Sequence, residues 1–379
     1  MQDRPMVERF LRPFQQFMAA ESAGGIVLLV CTVVALVWAN SPDGDAYFSV
    51  WEQAVGVGSI SKSIGHWIND GLMVVFFLLV GLEIKRELLT GELSSRQQAT
   101  LPIAAAIGGM IVPAAIYAAI NGRHEGSPGW AIPMATDIAF ALGVLVLLGK
   151  RIPLGLRVFL AALAIVDDIG AVLVIAFFYT GALSWMGLFG AAAVLVLLAI
   201  CNRRGVTHPA IYALLGVALW VSVLASGIHA TIAGVLLAMT VPSALLPRME
   251  HALLRPVAFG IMPLFALANA GVRLSTDVFR TLSWRVAAGI AIGLVVGKVL
   301  GIVVASWLAV RSRRAALPAG VDWKQLVGVS WLGGIGFTMS LFVAALAFGS
   351  GPLLDSAKVG ILAGSLFAGV TGAVLLRFR

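Results

Sequence analysis

Residues 158–178, with the sequence VFLAALAIVDDIGAVLVIAFF, are apolar throughout except for two adjacent aspartates, Asp167 and Asp168. A helix needs about 20 apolar residues to cross the hydrocarbon core of a bilayer. Eleven further apolar runs occur along the chain, most of them close to that length. We therefore predict twelve spanning helices, at about residues 23–40, 66–85, 99–120, 130–149, 157–180, 184–201, 209–225, 227–241, 255–272, 287–309, 325–348 and 357–376.

The composition of the whole chain also indicates an all-α polytopic membrane protein. Of 379 residues, 60% are hydrophobic and only 12% are charged, about half the charged share of a soluble domain. Continuously apolar runs disfavour a membrane barrel, whose strands alternate apolar and polar residues. Residues 1–379 leave no room for a soluble domain, so we predict one transmembrane domain. Its N-terminal segment, residues 1–20, contains an amphipathic stretch at 5–18 that is typical of an interfacial helix.

The net charge of +8 could indicate a nucleic-acid-binding protein. In a membrane protein, however, Lys and Arg accumulate in the cytoplasmic loops, and we predict no nucleic-acid partner. With the N-terminus inside, the inner segments carry 19 Lys and Arg residues and the outer segments carry 6. This asymmetry predicts that both termini are cytoplasmic, although the outer loop at 273–285 holds three arginines.

Four ionisable residues lie deep within predicted spans: Asp137, Asp167, Asp168 and Lys298. Each costs about 3 kcal/mol at mid-bilayer on insertion scales, so four together cost on the order of 12 kcal/mol. A whole fold is stable by only about 5–15 kcal/mol. A purely structural ion pair remains an alternative, but apolar side chains usually stabilise a buried site as well. We therefore interpret these charges as a functional site.

Asp167 and Asp168 are neighbours on one helix, so their side chains point about 100° apart. One can face an ion while the other pairs with a cation, for which Lys298 is the candidate. Three carboxylates against one lysine leave a deficit of positive charge, which a proton or a hard cation such as Na⁺ can supply. Such a cation prefers oxygen ligands, here from Asp side chains, the Thr136 hydroxyl and free carbonyls. No Cys/His pattern suggests zinc, and no cofactor is predicted.

Two of the predicted spans contain residues that interrupt helices. The fourth has Pro133 before Thr136 and Asp137, and the eleventh has Gly333-Gly334-Ile335-Gly336. Each is the middle helix of a triplet, at about residues 99–180 and 287–376. The triplets are offset by seven spans, so they cross the membrane in opposite senses. Matching interrupted helices in inverted repeats indicate a transporter site near the midplane, although the glycines could simply allow close packing.

These residues lie in motifs that resemble the NhaA family of bacterial sodium/proton antiporters. The resemblance extends from about residue 21 to residue 348, with its motifs in the same order and spacing. That family is itself a known case of inverted repeats. The matching stretches are TDIAFALG at 136–143, VDDIGA at 166–171, GGIGFTMS at 333–340, INDG at 68–71, GLEIKRE at 81–87 and FALANAGV at 265–272.

The resemblance implies twelve helices, with the fourth and eleventh broken and crossing. It also implies export of Na⁺ or Li⁺ in exchange for external protons, two per ion, across the bacterial inner membrane, which would serve Na⁺ and pH homeostasis. Asp167 and Asp168 match the pair that binds Na⁺ and protons, and Thr136 and Asp137 match the polar pair at the crossing. Lys298 matches the lysine that pairs with the first aspartate.

Further matches carry over the family's pH response. They are Glu250 with Glu83, Arg86 and Glu87 in a cytoplasmic cluster, and His229 and Asp70 elsewhere. As bare sequence, each could instead be an ordinary interfacial charge or a satisfied histidine. One departure concerns the outer segment 41–63, where family members form a hairpin used in dimers. No clear strand–turn–strand pattern is predicted there, so the expectation of a homodimer rests on the resemblance alone.

Two other classes of protein use intramembrane carboxylates. Intramembrane aspartyl proteases need aspartates on two helices with a G-x-G-D signature, and this sequence has none. An ion channel usually builds its acidic ring by symmetry between subunits, whereas this chain carries predicted inverted halves. A carrier of organic anions fits poorly with three buried carboxylates. The sequence therefore favours a secondary active transporter of cations, and not an enzyme.

Overall fold

The computed structural model describes residues 6–57, 60–181, 183–274 and 280–378. Over these residues the chain is predominantly helical. The helices are α1 (Met6–Ala39), α2 (Gly44–Glu52), α3 (Ile64–Thr90), α4 (Arg96–Asn121), a 3₁₀ helix (Ser127–Met134), α5 (Ile138–Leu147), α6 (Leu154–Phe178), α7 (Trp185–Arg203), α8 (Pro209–Ser226), α9 (Ile232–Thr240), α10 (Leu246–Asn269), α11 (Trp284–Arg311), α12 (Trp323–Leu332), α13 (Phe337–Phe348) and α14 (Pro352–Arg377).

Length and hydropathy confirm a multi-span membrane protein. Among the described residues, nine helical segments are long and apolar enough to cross a bilayer, and two bent pairs raise the number to eleven. One pair is α12 with α13, bent by 46°, and the other is the apolar part of α1 with α2, bent by 113°. Residues 6–20 of the predicted N-terminal segment continue into α1, while residues 1–5 lie outside the described residues.

The eighth predicted span, residues 227–241, is shorter than expected. Its helix, α9, has only nine residues and begins at Ile232. Gly227 adopts a left-handed conformation with φ of 84°, which ends α8 and turns the chain before His229. The apolar run predicted a longer helix because hydropathy reports burial and does not detect such a turn.

The segment 41–63 contains a pair of strands that the sequence did not predict. Strands β1 (Ala54–Val57) and β2 (Ile60–Ser63) pair antiparallel, with Ala54 opposite Ser63. Each strand has only four residues, too few for a clear alternation of apolar and polar side chains. The Trp67 indole donates to the Val55 carbonyl at 3.0 Å, which fixes the hairpin against the start of α3.

Both predicted helix breaks are confirmed, and they meet inside the protein. Residues 135–137 separate the 3₁₀ helix from α5, and residues 333–336 separate α12 from α13. The Asp137 amide donates to the Ile335 carbonyl at 2.6 Å, so one interrupted segment directly contacts the other. Irregular backbone of this kind is tolerated at membrane depth only where the protein buries it or it lines a cavity.

Helix α4 packs closely against α11, the helix that carries Lys298. A Cβ on Gly108 would lie 2.2 Å from the Gly301 carbonyl oxygen, and a Cβ on Gly301 would lie 2.1 Å from that of Gly108. Only glycine allows the two backbones to approach so closely. This contact lies near Lys298, one turn earlier on α11, and brings that helix towards the centre of the protein.

Candidate functional site

Asp137 connects the first turns of two half-helices. Its Oδ1 accepts from the Phe140 amide at 3.1 Å, which caps α5, and its Oδ2 accepts from the Thr338 amide at 3.0 Å, in the first turn of α13. The Thr338 hydroxyl also donates to Oδ2. The start of a helix carries unsatisfied N–H groups and a positive partial charge, which favour a carboxylate. Asp137, 2% exposed, is therefore held by donors from both broken segments.

Hydroxyl groups lie within hydrogen-bond distance of backbone carbonyls at the same crossing. The Thr136 hydroxyl lies 2.8 Å from the Gly333 carbonyl oxygen, just past the end of α12. The Ser340 hydroxyl, on α13, donates to the Ile132 carbonyl in the 3₁₀ helix at 2.7 Å. Each broken segment thus supplies a hydroxyl to the other, which compensates for the backbone bonds lost at the breaks.

Lys298 and Asp167 form an ion pair that is completely inaccessible to solvent. The lysine also donates to the Thr136 hydroxyl at 3.0 Å, and that hydroxyl lies 2.7 Å from Asp167 Oδ2. A π-helical turn, Gly293–Gly297, directly precedes Lys298 on α11. Such turns are frequent at functional sites, because they shift the direction of the next side chain.

Asp168 follows Asp167 on α6, and neighbouring side chains on a helix point about 100° apart. Asp168 is 2% exposed and lines a narrow cavity. Thr136, Asp137 and Thr338 line the same cavity, together with apolar residues of α1, α3 and α10. The cavity also reaches Glu83, near the end of α3 that is predicted to be cytoplasmic. Two carboxylates and two hydroxyl-bearing residues at the crossing therefore line one cavity, and Glu83 lines it nearer the cytoplasmic end.

Four of the predicted pH-response residues lie together at that end of α3. Arg86 pairs with Glu250 of α10 and with Glu87, the latter at 3.1 Å. Glu83 lies close enough to add to the electrostatic field at Arg86. Glu83 and Glu250 are 5% and 8% exposed, so these are buried groups and not a solvated loop.

The remaining two predicted residues lie at the opposite end of α3. Asp70 forms a 2.8 Å pair with His66, and His229 lies within electrostatic range of both. The His229 ring packs edge-on against Phe342 of α13, with centroids 6.5 Å apart. The structure therefore does not bring Asp70 and His229 to the aspartates at the crossing, and it adds His66, which the sequence analysis did not consider.

Comparison with known proteins identifies the family. Residues 15–376 match the family model described as Na⁺/H⁺ antiporter 1. The chain belongs to this family. Curated relatives cover almost all of it: one called Na(+)/H(+) antiporter NhaA 2, from Pseudomonas syringae pv. syringae (strain B728a), is 54% identical over 96% of this chain and 94% of its own. One called Na(+)/H(+) antiporter NhaA, from Vibrio alginolyticus, is 50% identical over 96% of this chain and 97% of its own.

The fold of this Na⁺/H⁺ antiporter 1 family member is also similar to a solved structure. The sodium proton antiporter MjNhaP1 from Methanocaldococcus jannaschii matches with a TM-score of 0.50 over 97% of this chain and 98% of its own. Their sequences are only 14% identical, so the match concerns the architecture alone. The resemblance to the NhaA family and the broken-helix membrane fold are both confirmed.

Sequence reasoning missed three polar side chains at the crossing of this family member. Thr338 and Ser340 lie within GGIGFTMS, a stretch that matches the family but to whose hydroxyl groups the sequence analysis assigned no role. Ser365 lies on α14 and gives no sequence signal, because a serine in an apolar helix often bonds only to its own backbone. Among the described residues, no group of three His, Cys, Asp or Glu side chains could hold a metal ion. A transported cation would therefore need hydroxyl, carbonyl or water oxygens as well as carboxylates.

Proposed function

We propose that this chain is a Na⁺/H⁺ antiporter that exports cytoplasmic Na⁺, or Li⁺, in exchange for external protons. It is a secondary active transporter and not an enzyme. One observation carries the proposal: three carboxylates and one lysine are buried where two broken helices meet, beside a cavity lined by Asp168. Relatives about 50% identical to it are named Na⁺/H⁺ antiporters, which supports the same substrates here.

Competition for one site is the simplest exchange mechanism. Lys298 pairs with Asp167, and Asp137 accepts from the first turns of α5 and α13. Asp168 is the carboxylate that an ion entering along the cavity reaches beside the Thr136 hydroxyl. Na⁺ and protons would bind to these oxygens alternately and never together. A carrier that changes its accessible side only when loaded then exchanges one for the other.

The described state supports access from the cytoplasm. The cavity extends from Asp168 towards Glu83. On the other side of the crossing, three aromatic rings pack together: Phe77 and Phe265 contact Phe342 at centroid distances of 5.4 and 6.3 Å. All three are at most 1% exposed, so they fill the path towards the outer side. Alternating access would require these rings to separate while the cytoplasmic cavity closes.

The proposal also covers regulation and energetics. Activity would rise with pH as the aspartates lose protons and become available to Na⁺. The cluster of Glu83, Arg86, Glu87 and Glu250 would adjust this response from the cytoplasmic side, and Asp70 and His229 would adjust it from the outer side. Two protons entering for each Na⁺ leaving would move one net charge, so the membrane potential would drive export.

We place the protein in the bacterial inner membrane, surrounded by lipid and with both termini in the cytoplasm. It would serve Na⁺ and pH homeostasis without a cofactor. A homodimer would form through the β1–β2 hairpin, whose strand edges can extend the sheet into a second copy. Deleting residues 54–63 should leave a monomer on size-exclusion chromatography with light scattering, and a persisting dimer would exclude this interface.

Proton movement in everted membrane vesicles tests the proposal. A pH-sensitive dye reports the proton gradient while Na⁺, Li⁺ or K⁺ is added at several pH values. We expect Na⁺ and Li⁺ to collapse the gradient and K⁺ to leave it intact. Asp167→Asn and Asp168→Asn vesicles should be silent. The control Asp43→Asn changes an exposed carboxylate outside the site and should behave like the wild type.

Two results of this assay would contradict the proposal. If no cation moves protons at any pH while the protein is present in the membrane, the antiporter proposal is wrong. If Asp168→Asn retains full activity, the assignment of the ion site is wrong. Electrogenicity is tested in proteoliposomes with an imposed membrane potential. An exchange rate that does not respond to the potential would contradict the two-proton ratio.

A further inference from the structure

Ser365 on α14 accepts the first hydrogen bonds of half-helix α13. Its hydroxyl oxygen lies 3.2 Å from the Gly336 amide nitrogen and 3.2 Å from that of Phe337. These N–H groups have no partner within their own helix, because a helix leaves its first amides unsatisfied. Ser365 is 7% exposed, so water has little access to replace it.

The first amides of α13 therefore donate to two different side chains. The Ser365 hydroxyl accepts from the amides of Gly336 and Phe337, and the Asp137 carboxylate accepts from the amide of Thr338. From these contacts we infer that Ser365 is a positioning residue for the ion site. It orients the first turn of α13 so that the amide and hydroxyl of Thr338 meet the Asp137 carboxylate. This inference rests on the proposed antiport function.

The packing of α14 makes Ser365 suited to this role. Small residues allow α14 to approach the break: a Cβ on Gly334 would lie 3.1 Å from the Ala368 Cβ, and one on Gly369 would lie 3.3 Å from the Ile335 side chain. Gly364 packs in the same way against Ala291 of α11. The serine hydroxyl is thus carried on a helix in contact with both the break and α11.

Loss of the hydroxyl should disturb Asp137. In Ser365→Ala, the amides of Gly336 and Phe337 lose their acceptor, and the nearest carboxylate at this helix start is that of Asp137. These amides would then compete with Thr338 for it and shift the half-helix. Buried donors without acceptors are unfavourable, so the first turn of α13 would reorganise rather than stay in place.

The test is Na⁺-dependent proton transport by purified protein in proteoliposomes. For Ser365→Ala we expect the KM for Na⁺ and Li⁺ to rise about tenfold, equivalent to about 1.4 kcal/mol. The maximal rate should change by less than about twofold, because the defect is in binding. Ser365→Thr keeps the hydroxyl and should restore most of the affinity. A merely structural role would lower the amount of folded protein without this separation of KM from maximal rate.

Ser330→Ala is the matched control. Ser330 lies on the other half-helix, α12, is 1% exposed, and donates only to the Leu326 carbonyl of its own helix at 2.7 Å. Its loss leaves no helix-start amide without an acceptor, so KM should remain within about twofold of wild type. An equal rise of KM in both variants, or none in Ser365→Ala, would overturn the inference.

A second measurement does not depend on transport. Hydrogen–deuterium exchange in detergent should be faster at the amides of Gly336 and Phe337 in Ser365→Ala than in wild type or Ser330→Ala. If the alanine variant does not fold, Ser365→Cys replaces it, because sulfur is only a weak acceptor and should give an intermediate effect. Unchanged exchange at these amides would refute the inference. An inactive wild type with the expected exchange would instead refute the proposed function alone.

Discussion

Replacing Lys298 with methionine should leave the Asp167 carboxylate buried without its ion-pair partner. Both side chains have no exposed surface, so water cannot take the place of the ammonium group. Removing one partner of such a pair typically costs about 3–5 kcal/mol. This loss should lower the melting temperature of the detergent-purified protein below that of the wild type.

The same variant allows charge and packing to be separated. Methionine keeps most of the apolar stem of lysine, so most of the loss should come from the uncompensated carboxylate. Asp167→Asn combined with Lys298→Met should therefore be more stable than Lys298→Met alone. The single variant should also be most unstable at alkaline pH and recover at acidic pH, where a proton neutralises Asp167.

The stability of the wild type, Lys298→Met and the double variant is measured by thermal unfolding of detergent-purified protein at several pH values. Fluorescence-detected size exclusion reports the folded fraction. The reasoning fails if Lys298→Met melts with the wild type at alkaline pH. It also fails if the double variant is no more stable than the single one. In either case the pair would contribute little to stability, and its burial would need another explanation.

Three further changes test other contacts. Gly108→Ala should destabilise the protein by about 1–3 kcal/mol in thermal unfolding through overpacking against α11, whereas Gly260→Ala, with open space around its Cβ, should not. Lys85→Met removes a 2.7 Å bond to the Met239 carbonyl at the end of α9 and should cost about 1–2 kcal/mol in the same assay, while the exposed Lys62→Met should cost nothing. Thr136→Val should reduce Na⁺-driven proton flux at least about tenfold, and Thr136→Ser should retain it.

The sequence predicted the parts of the fold that depend on burial in lipid. Long apolar runs mark membrane spans because every spanning helix must cover the same hydrocarbon thickness. Charges inside those runs stand out for the same reason, and this was enough to single out Asp137, Asp167, Asp168 and Lys298. The helix breaks were visible because proline and clustered glycines weaken a helix wherever they occur.

The missed features depend on contacts between distant parts of the chain. The hairpin at Ala54–Ser63 is held by Trp67 and has strands too short to show alternation. The role inferred for Ser365 requires α14 to lie against the break in α12–α13, which no local pattern specifies. The pairing of Lys298 with Asp167 was not missed, but it follows only from the family resemblance. The adjacent pair alone does not fix it, because it depends on the rotation of α6 about its axis.

The crossing explains why both breaks are needed. Each break creates one helix start and one helix end, so two positive and two negative partial charges of about half a unit meet there. These four ends cancel one another and leave three carboxylates against one ammonium group, a net charge of −2 when all are ionised. Two protons would bring this charge to zero, whereas one Na⁺ would leave −1. The two loaded forms then differ by one charge, which is the condition for exchange of two protons per Na⁺ to respond to the membrane potential.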